Sequence, residues 1–177
     1  MLPIEEEQLV GLLKKLSPGF LPYDIFLQVA RLTVLPIIEF IPLRKINGIV
    51  EVLLLRRDSD DSLWPNELHT PGTVIRTTDL DSDNHLAFKR ILEDELASTK
   101  VTEPYYVGSN LHKSRRGAEQ AQIFWVEVLE EPKAGKFYNV NALPKEMMQS
   151  QVSFVKLAAD SFSKIRSSIV DGGVIND

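Results

Sequence analysis

Asn47-Gly48 separates two apolar runs, and this dipeptide restricts the fold more than any other in the chain. Asparagine followed by glycine accepts the left-handed backbone that a two-residue hairpin turn demands. Before it, TVLPIIEFIPL (33–43) is rich in β-branched residues; after it, IVEVLLLRR (49–57) is almost continuously apolar. A run of the second kind suits a strand covered on both faces. Pro36 and Pro42 predict that the first run is an edge or irregular strand, because proline donates nothing to a ladder.

The segments around this hairpin supply more strands and helices. Leu9, Leu12, Leu13 and Leu16 have helical spacing, so 5–16 reads as a short helix with Glu5, Glu6 and Glu7 at its start, stopped by Pro18-Gly19. A second helix is predicted over 22–31, with Ile25, Phe26, Val29 and Ala30 turned inward. TEPYYVGSNLH and AQIFWVEVLEE read as strands joined by a basic turn around Gly117, and 148–168 as a closing helix. This order predicts an α/β chain, a mixed β-sheet sandwiched between helices in three α/β/α layers. The expected division is an N-terminal helical extension (1–32), a main domain (33–170) and a flexible tail (171–177). The extension either caps the edge of the core or forms a homodimer contact.

Composition narrows the class. With 177 residues, 44% of them hydrophobic, the chain can bury a proper core. A net charge of −5 gives no reason to expect a nucleic-acid partner. The absence of cysteine rules out disulfides, thiolate metal sites and a cysteine nucleophile. MLPIEEEQLV is not a signal peptide, and no apolar run reaches transmembrane length, so no membrane partner and a cytoplasmic location are expected. There is no H-E-x-x-H, no Gly-Lys-Ser/Thr phosphate loop and no G-x-S-x-G elbow.

The chemistry is concentrated in PGTVIRTTDLDSDNHLAFKRILEDELA (71–97), which reads as a turn, a short strand, an acidic loop and a helix. Ala87, Phe88, Ile91, Leu92 and Leu96 make its apolar stripe. Asp94 and Glu95 are adjacent and within a turn of Arg90. Such a pair is a solvated face, or is held by Arg90, or binds a hard divalent cation.

This stretch resembles a degenerate Nudix box, G-x5-E-x7-R-E-U-x-E-E-x-G-U with U aliphatic. Gly72 matches the first glycine, Arg90 the arginine, Leu92 the aliphatic, and Asp94 and Glu95 the paired acids. Ile91 stands where the pattern has glutamate, and Ala97 and Ser98 replace the final glycine and aliphatic. The loop is four residues longer than in the pattern, and its only acids are Asp79, Asp81 and Asp83. The resemblance covers about 33–162, and Trp64 and Leu143-Pro144 fit its wider layout.

The resemblance implies a Nudix-type hydrolase that cleaves a pyrophosphate bond in a nucleoside-diphosphate-linked substrate with Mg²⁺ or Mn²⁺. It implies metal ligation by Asp94 and Glu95, and catalytic roles for Arg90, Glu95 and a late acid, Glu119. Gly72 would lend backbone to the substrate. His69 is a candidate for phosphate or ribose contact. His112, Lys113, Arg115 and Arg116 form a cationic cluster able to neutralise a diphosphate. The alternative is a catalytically silent Nudix-like domain that binds a nucleotide or a protein.

Overall fold

The computed structural model describes residues 2–82 and 85–171. Asp83 and residues 172–177, which include nearly all of the expected tail, lie outside the described residues. Among the described residues seven strands form one mixed sheet: β1 (Val34–Ile46), β2 (Ile49–Arg56), β3 (Leu68–His69), β4 (Gly72–Val74), β5 (Tyr105–Lys113), β6 (Ala118–Glu127) and β7 (Lys136–Asn139). Their spatial order is β3-β2-β1-β6-β5, with β4 paired to β1 and β7 to β2. The β1–β2 hairpin turns at Asn47 and Gly48, with φ of 51° and 81°, which is the left-handed geometry the dipeptide predicts.

β1 is not an edge strand. It lies at the centre, parallel to β6 from Val34 opposite Ala118 to Leu43 opposite Glu127. The prolines are tolerated because N–H direction alternates along a strand. Leu43 accepts from Val128 on the β6 side, whereas Phe40 donates to Pro71 on the other side. Pro36 and Pro42 share the even parity of Phe40, so their missing donors face away from β6. On that side β1 pairs with β4 only at Ile37–Glu39 and with β2 only at Leu43–Ile46. Pro42 therefore falls where that edge has no partner in register, while Pro36 meets Ile75 there only as an acceptor, its carbonyl taking the Ile75 N–H at 2.9 Å.

Alternation along β1 splits the core in two. Ile37, Ile41 and Leu43 join Phe154, Val155, Ala158 and Phe162 of α4 (Val152–Asp171). Ile38 and Phe40 pack with Ala87, Ile91 and Leu96 on the opposite face. Each large side chain buried this way contributes about 1.5–3 kcal/mol. The three-layer arrangement is thus helix α4, sheet, and the helical segment that carries the acidic residues.

The two N-terminal helices differ. α2 (Tyr23–Leu32) buries Ala30 and half-buries Phe26 against the first cluster. α1 (Pro3–Leu13), shorter than the predicted 5–16, buries none of its residues, and Leu9, Leu12 and Leu13 are exposed. No helix among the described residues is long and apolar enough to cross a membrane.

Candidate functional site

The segment with the paired acids is not one continuous α-helix. After β4 comes a 3-10 stretch, Thr77–Ser82, then α3 (His85–Arg90), then a single π turn over Ile91–Glu95. Leu96 N–H donates to Ile91 O at 3.0 Å, the five-residue spacing of a π turn. In an unbroken α-helix the residue stacked on Ile91 is four later, Glu95. The extra residue gives that inward place to Leu96. Ile91 and Leu96 are both buried among Ile38, Phe40 and Val126, while Glu95 is left half-buried at the rim. The chain then reverses through Ala97 and Ser98, with φ of 49° and 55°.

Arg90 points toward the loop rather than toward Asp94 or Glu95. Its guanidinium takes both oxygens of Asp79, Nη2 to Oδ2 being 2.9 Å, and donates to Val74 O at 3.1 Å. Asp79 is buried, and the Arg90 hydrogen bonds hold its carboxyl below the usual range. The lengthened loop is thus tied to the helix by one of the three acids available to it.

Asp94 and Glu95 border an open cleft of about 650 Å³, a volume in the range of small-molecule sites. Arg56 at the end of β2, Arg57 just past it, the acids Asp58, Asp60 and Asp61, His69, Lys136 and Tyr138 also line it. Burial pushes the Glu95 carboxyl up, and Asp94 adds to this, while Arg57 opposes it. His69 is buried with Nδ1 2.9 Å from Thr70 O. Burial first, and Arg57 second, lower its pKa to about 4, so its ring is neutral near pH 7.

The remaining predicted residues lie elsewhere. A second, small cavity of about 30 Å³ is lined by Glu39, Thr70, Gly72, His112, Arg116, Glu119 and Gln151, with Trp64 and Arg57 at its wall. It lies on the α4 side of β1, since Glu39 shares the parity of Ile37 and Ile41. Glu119 is buried and faces Arg116 Nη2 at 2.7 Å and His112 Nε2 at 3.2 Å. Arg116 also lies over the Trp64 ring at 5.1 Å. Glu39 accepts from Thr70 Oγ1 at 2.9 Å and from Gln151 Nε2 at 3.1 Å. Burial raises its pKa to about 8.

Gly72 is held to hydrogen by this compartment: a Cβ there would sit 2.8 Å from Glu39 Oε2. Arg115 is outside both cavities, bound to Glu67 Oε1 at 2.5 Å and to Leu63 O. So Asp94, Glu95 and His69 come together at the cleft, whereas Gly72, Arg116 and Glu119 belong to the inner compartment. The sequence reading missed Glu39, Gln151 and Lys136. A lone acid inside the apolar run PIIEFIP was the available signal for Glu39.

The family implied by the resemblance uses a divalent metal. Among the described residues no three His, Asp or Glu side chains lie close enough to hold an ion. Ile91 is in the core and Asp79 is engaged by Arg90, whereas Asp94 and Glu95 line the cleft, as do Asp58, Asp60 and Asp61. Mg²⁺ commonly takes only one or two carboxylates and completes its shell with water and substrate phosphate. The pair therefore fits an ion that arrives with a phosphorylated ligand, and does not make a protein-only cage.

No family model matches the chain, and no curated protein matches it. Solved structures do. A mutT/nudix family protein from Listeria innocua aligns at 19% identity over 78% of this chain and 98% of its own, with a TM-score of 0.56. The NUDIX domain of Shewanella oneidensis NrtR, solved with ADP ribose, aligns at 14% identity over 80% and 99%, with a TM-score of 0.55. The C. elegans Ap4A hydrolase aligns at 14% identity over 74% and 99%, also at 0.55. With the sheet order, the central β1–β6 pairing and the placement of the acidic helix, these likenesses show that the chain has the Nudix fold.

Proposed function

We propose that the cleft bordered by Asp94 and Glu95 binds a nucleoside-diphosphate-linked molecule and that the protein hydrolyses its pyrophosphate bond. The observation that carries this is the convergence of two adjacent carboxylates with Arg56, Arg57 and Lys136 on one cleft of ligand size. Structures of the same fold include one solved with ADP ribose and an Ap4A hydrolase, which supports a nucleotide as the ligand.

Mg²⁺ or Mn²⁺, entering with the substrate, would supply Lewis-acid stabilisation of charge on the transferred phosphoryl oxygens. The chain's own part is to position. Asp94 and Glu95 would hold the ion–phosphate unit, and the cationic side chains would fix the diphosphate. Glu95 would also serve as the general base for the attacking water. Arg90 and Asp79 act one step back, fixing the loop that precedes the helix. Glu119, held by Arg116 and His112 in the inner compartment, has a structural part in this scheme.

The test is Mg²⁺-dependent turnover over nucleotide sugars, dinucleoside polyphosphates and nucleoside triphosphates, with Glu95→Gln beside the parent. The expected result is turnover by the parent, reduced about 10²-fold or more in the variant, at nearly unchanged melting temperature. Full activity in the variant removes Glu95 from the mechanism. The burial of Ile91 favours a second reading, a binding domain without chemistry. Saturable nucleotide binding with no turnover at millimolar Mg²⁺ or Mn²⁺ would establish it. A homodimer contact is proposed for α1, whose apolar residues are unburied; a monomeric mass in light scattering removes that proposal.

A further inference from the structure

We infer that Arg57 is the anion anchor of the cleft, binding a phosphoryl group without help from a metal; this rests on the cleft being the ligand site proposed above.

The cationic side chains of the molecule are not equally available. Arg90 is committed to Asp79, Arg115 to Glu67 and Arg116 to Glu119. Within the cleft, Arg56 donates from Nη1 to Asn66 O at 2.6 Å. Arg57 differs from all of these. Its nearest carboxylate oxygen is Asp61 Oδ2, at 4.0 Å. The other oxygen of Asp61, Oδ1, accepts from the backbone N–H of Leu63 and Trp64, each at 2.9 Å, and this holds the carboxylate at that distance. Arg57 Nε is buried and has no hydrogen-bond partner among the described residues.

An unmet buried donor costs free energy until an acceptor reaches it. Nε–H and one Nη–H form an edge of the guanidinium that matches two oxygens of a phosphate. The position of Arg57 is fixed from behind, since its backbone N–H donates to Glu67 O at 3.0 Å just past the end of β2. The side chain lines the same cleft as Asp94, Glu95 and His69. A phosphate on Arg57 would thus lie beside the paired acids. In this cleft the guanidinium supplies countercharge that the isoleucine at 91 cannot help a metal to supply.

The probe is inorganic pyrophosphate, titrated calorimetrically into the intact protein in EDTA. The parent is expected to bind it saturably. Arg57→Gln should weaken binding roughly tenfold to a hundredfold, as for loss of a charged hydrogen-bond pair. Arg57→Lys should weaken it several-fold, because it keeps the charge and loses the fork. Arg115→Gln should leave it unchanged. Equal affinity in the parent and Arg57→Gln, or no saturable binding by the parent, overturns the assignment. If Arg57→Gln fails to fold, the lysine variant decides, and affinity equal to that of the parent overturns it.

Failure of the hydrolase reading is separate from this. Mg²⁺-dependent turnover by the parent with pyrophosphate affinity indifferent to Arg57 keeps the function and loses the anchor. Binding through Arg57 in a protein that never turns over keeps the anchor and loses the hydrolase.

Discussion

Two pairs of acids flank β1, and they have opposite surroundings. Glu39 and Glu119, in the inner compartment, are surrounded by donors: Thr70, Gln151, Arg116 and His112. Asp94 and Glu95, at the cleft, have no ion-pair partner within 4.0 Å among the described residues. A buried carboxyl group held by several hydrogen-bond partners is part of the scaffold. A pair at the cleft rim, Asp94 exposed and Glu95 half-buried, remains available to an incoming cation or proton. Sequence alone ranks Glu119 and Asp94 together as candidate site acids, and only the partners separate them.

The sharpest way to break this contrast is to remove an inner acid. Glu119→Ala leaves Arg116 and His112 facing each other in a buried space, and should destabilise by about 3–5 kcal/mol in urea denaturation. A loss below about 1 kcal/mol, the size expected of a surface pair, would mean the inner network is not scaffold.

A second test uses pH. Glu39 is raised to about 8 in the fold from 4.5, so the folded state holds a proton the unfolded state gives up. Its contribution is fully present below about pH 4.5 and is lost as pH rises toward 8. His69, lowered to about 4 from 6.5, works the other way: its contribution is present above 6.5 and is lost as pH falls toward 4. The two slopes oppose between 4.5 and 6.5. From pH 6.5 to 8 only that of Glu39 remains, and stability should fall by about 2 kcal/mol. Glu39→Gln should flatten that interval. A parent protein equally stable at pH 6.5 and 8 would show that Glu39 is ionised in its compartment.

The smallest effect lies on the outer side. Ala97 and Ser98 hold left-handed backbone after the π turn. Ala97→Gly should raise stability by about 1 kcal/mol, since glycine carries no Cβ penalty there. No gain would mean that the turn relaxes in solution.

Much of the fold is legible in the sequence because it depends on local spacing. The Asn47-Gly48 hairpin, the strands 105–113 and 118–127 and the closing helix all rest on periods of two or three to four residues. What escaped depends on distant partners. Nothing near Pro36 or Pro42 says that β6 will cover the other edge of β1. The stripe Ala87, Ile91, Leu96 is visible, yet the π turn that reconciles it with Glu95 at the rim is a tertiary outcome. Arg115 reads as part of an open cationic cluster because Glu67, which binds it, is some fifty residues away in the chain, while Arg116 is taken by Glu119 only three residues on, once the fold turns both inward. Arg57 ends an apolar run in the sequence, but the unpartnered state of its Nε depends on the fold.

The parallel β1–β6 ladder also affects how the molecule is made. Val34 cannot meet Ala118 until the intervening residues have left the ribosome. At about 5–20 residues per second that interval is on the order of ten seconds. Through it β1 has its hairpin partner but one open edge, with Ile37, Phe40 and Ile41 not yet covered by the strand and helices that bury them. A nascent chain in that state is a template for intermolecular pairing, so the centre of the finished sheet is also the part most in need of protection while the protein is being synthesised.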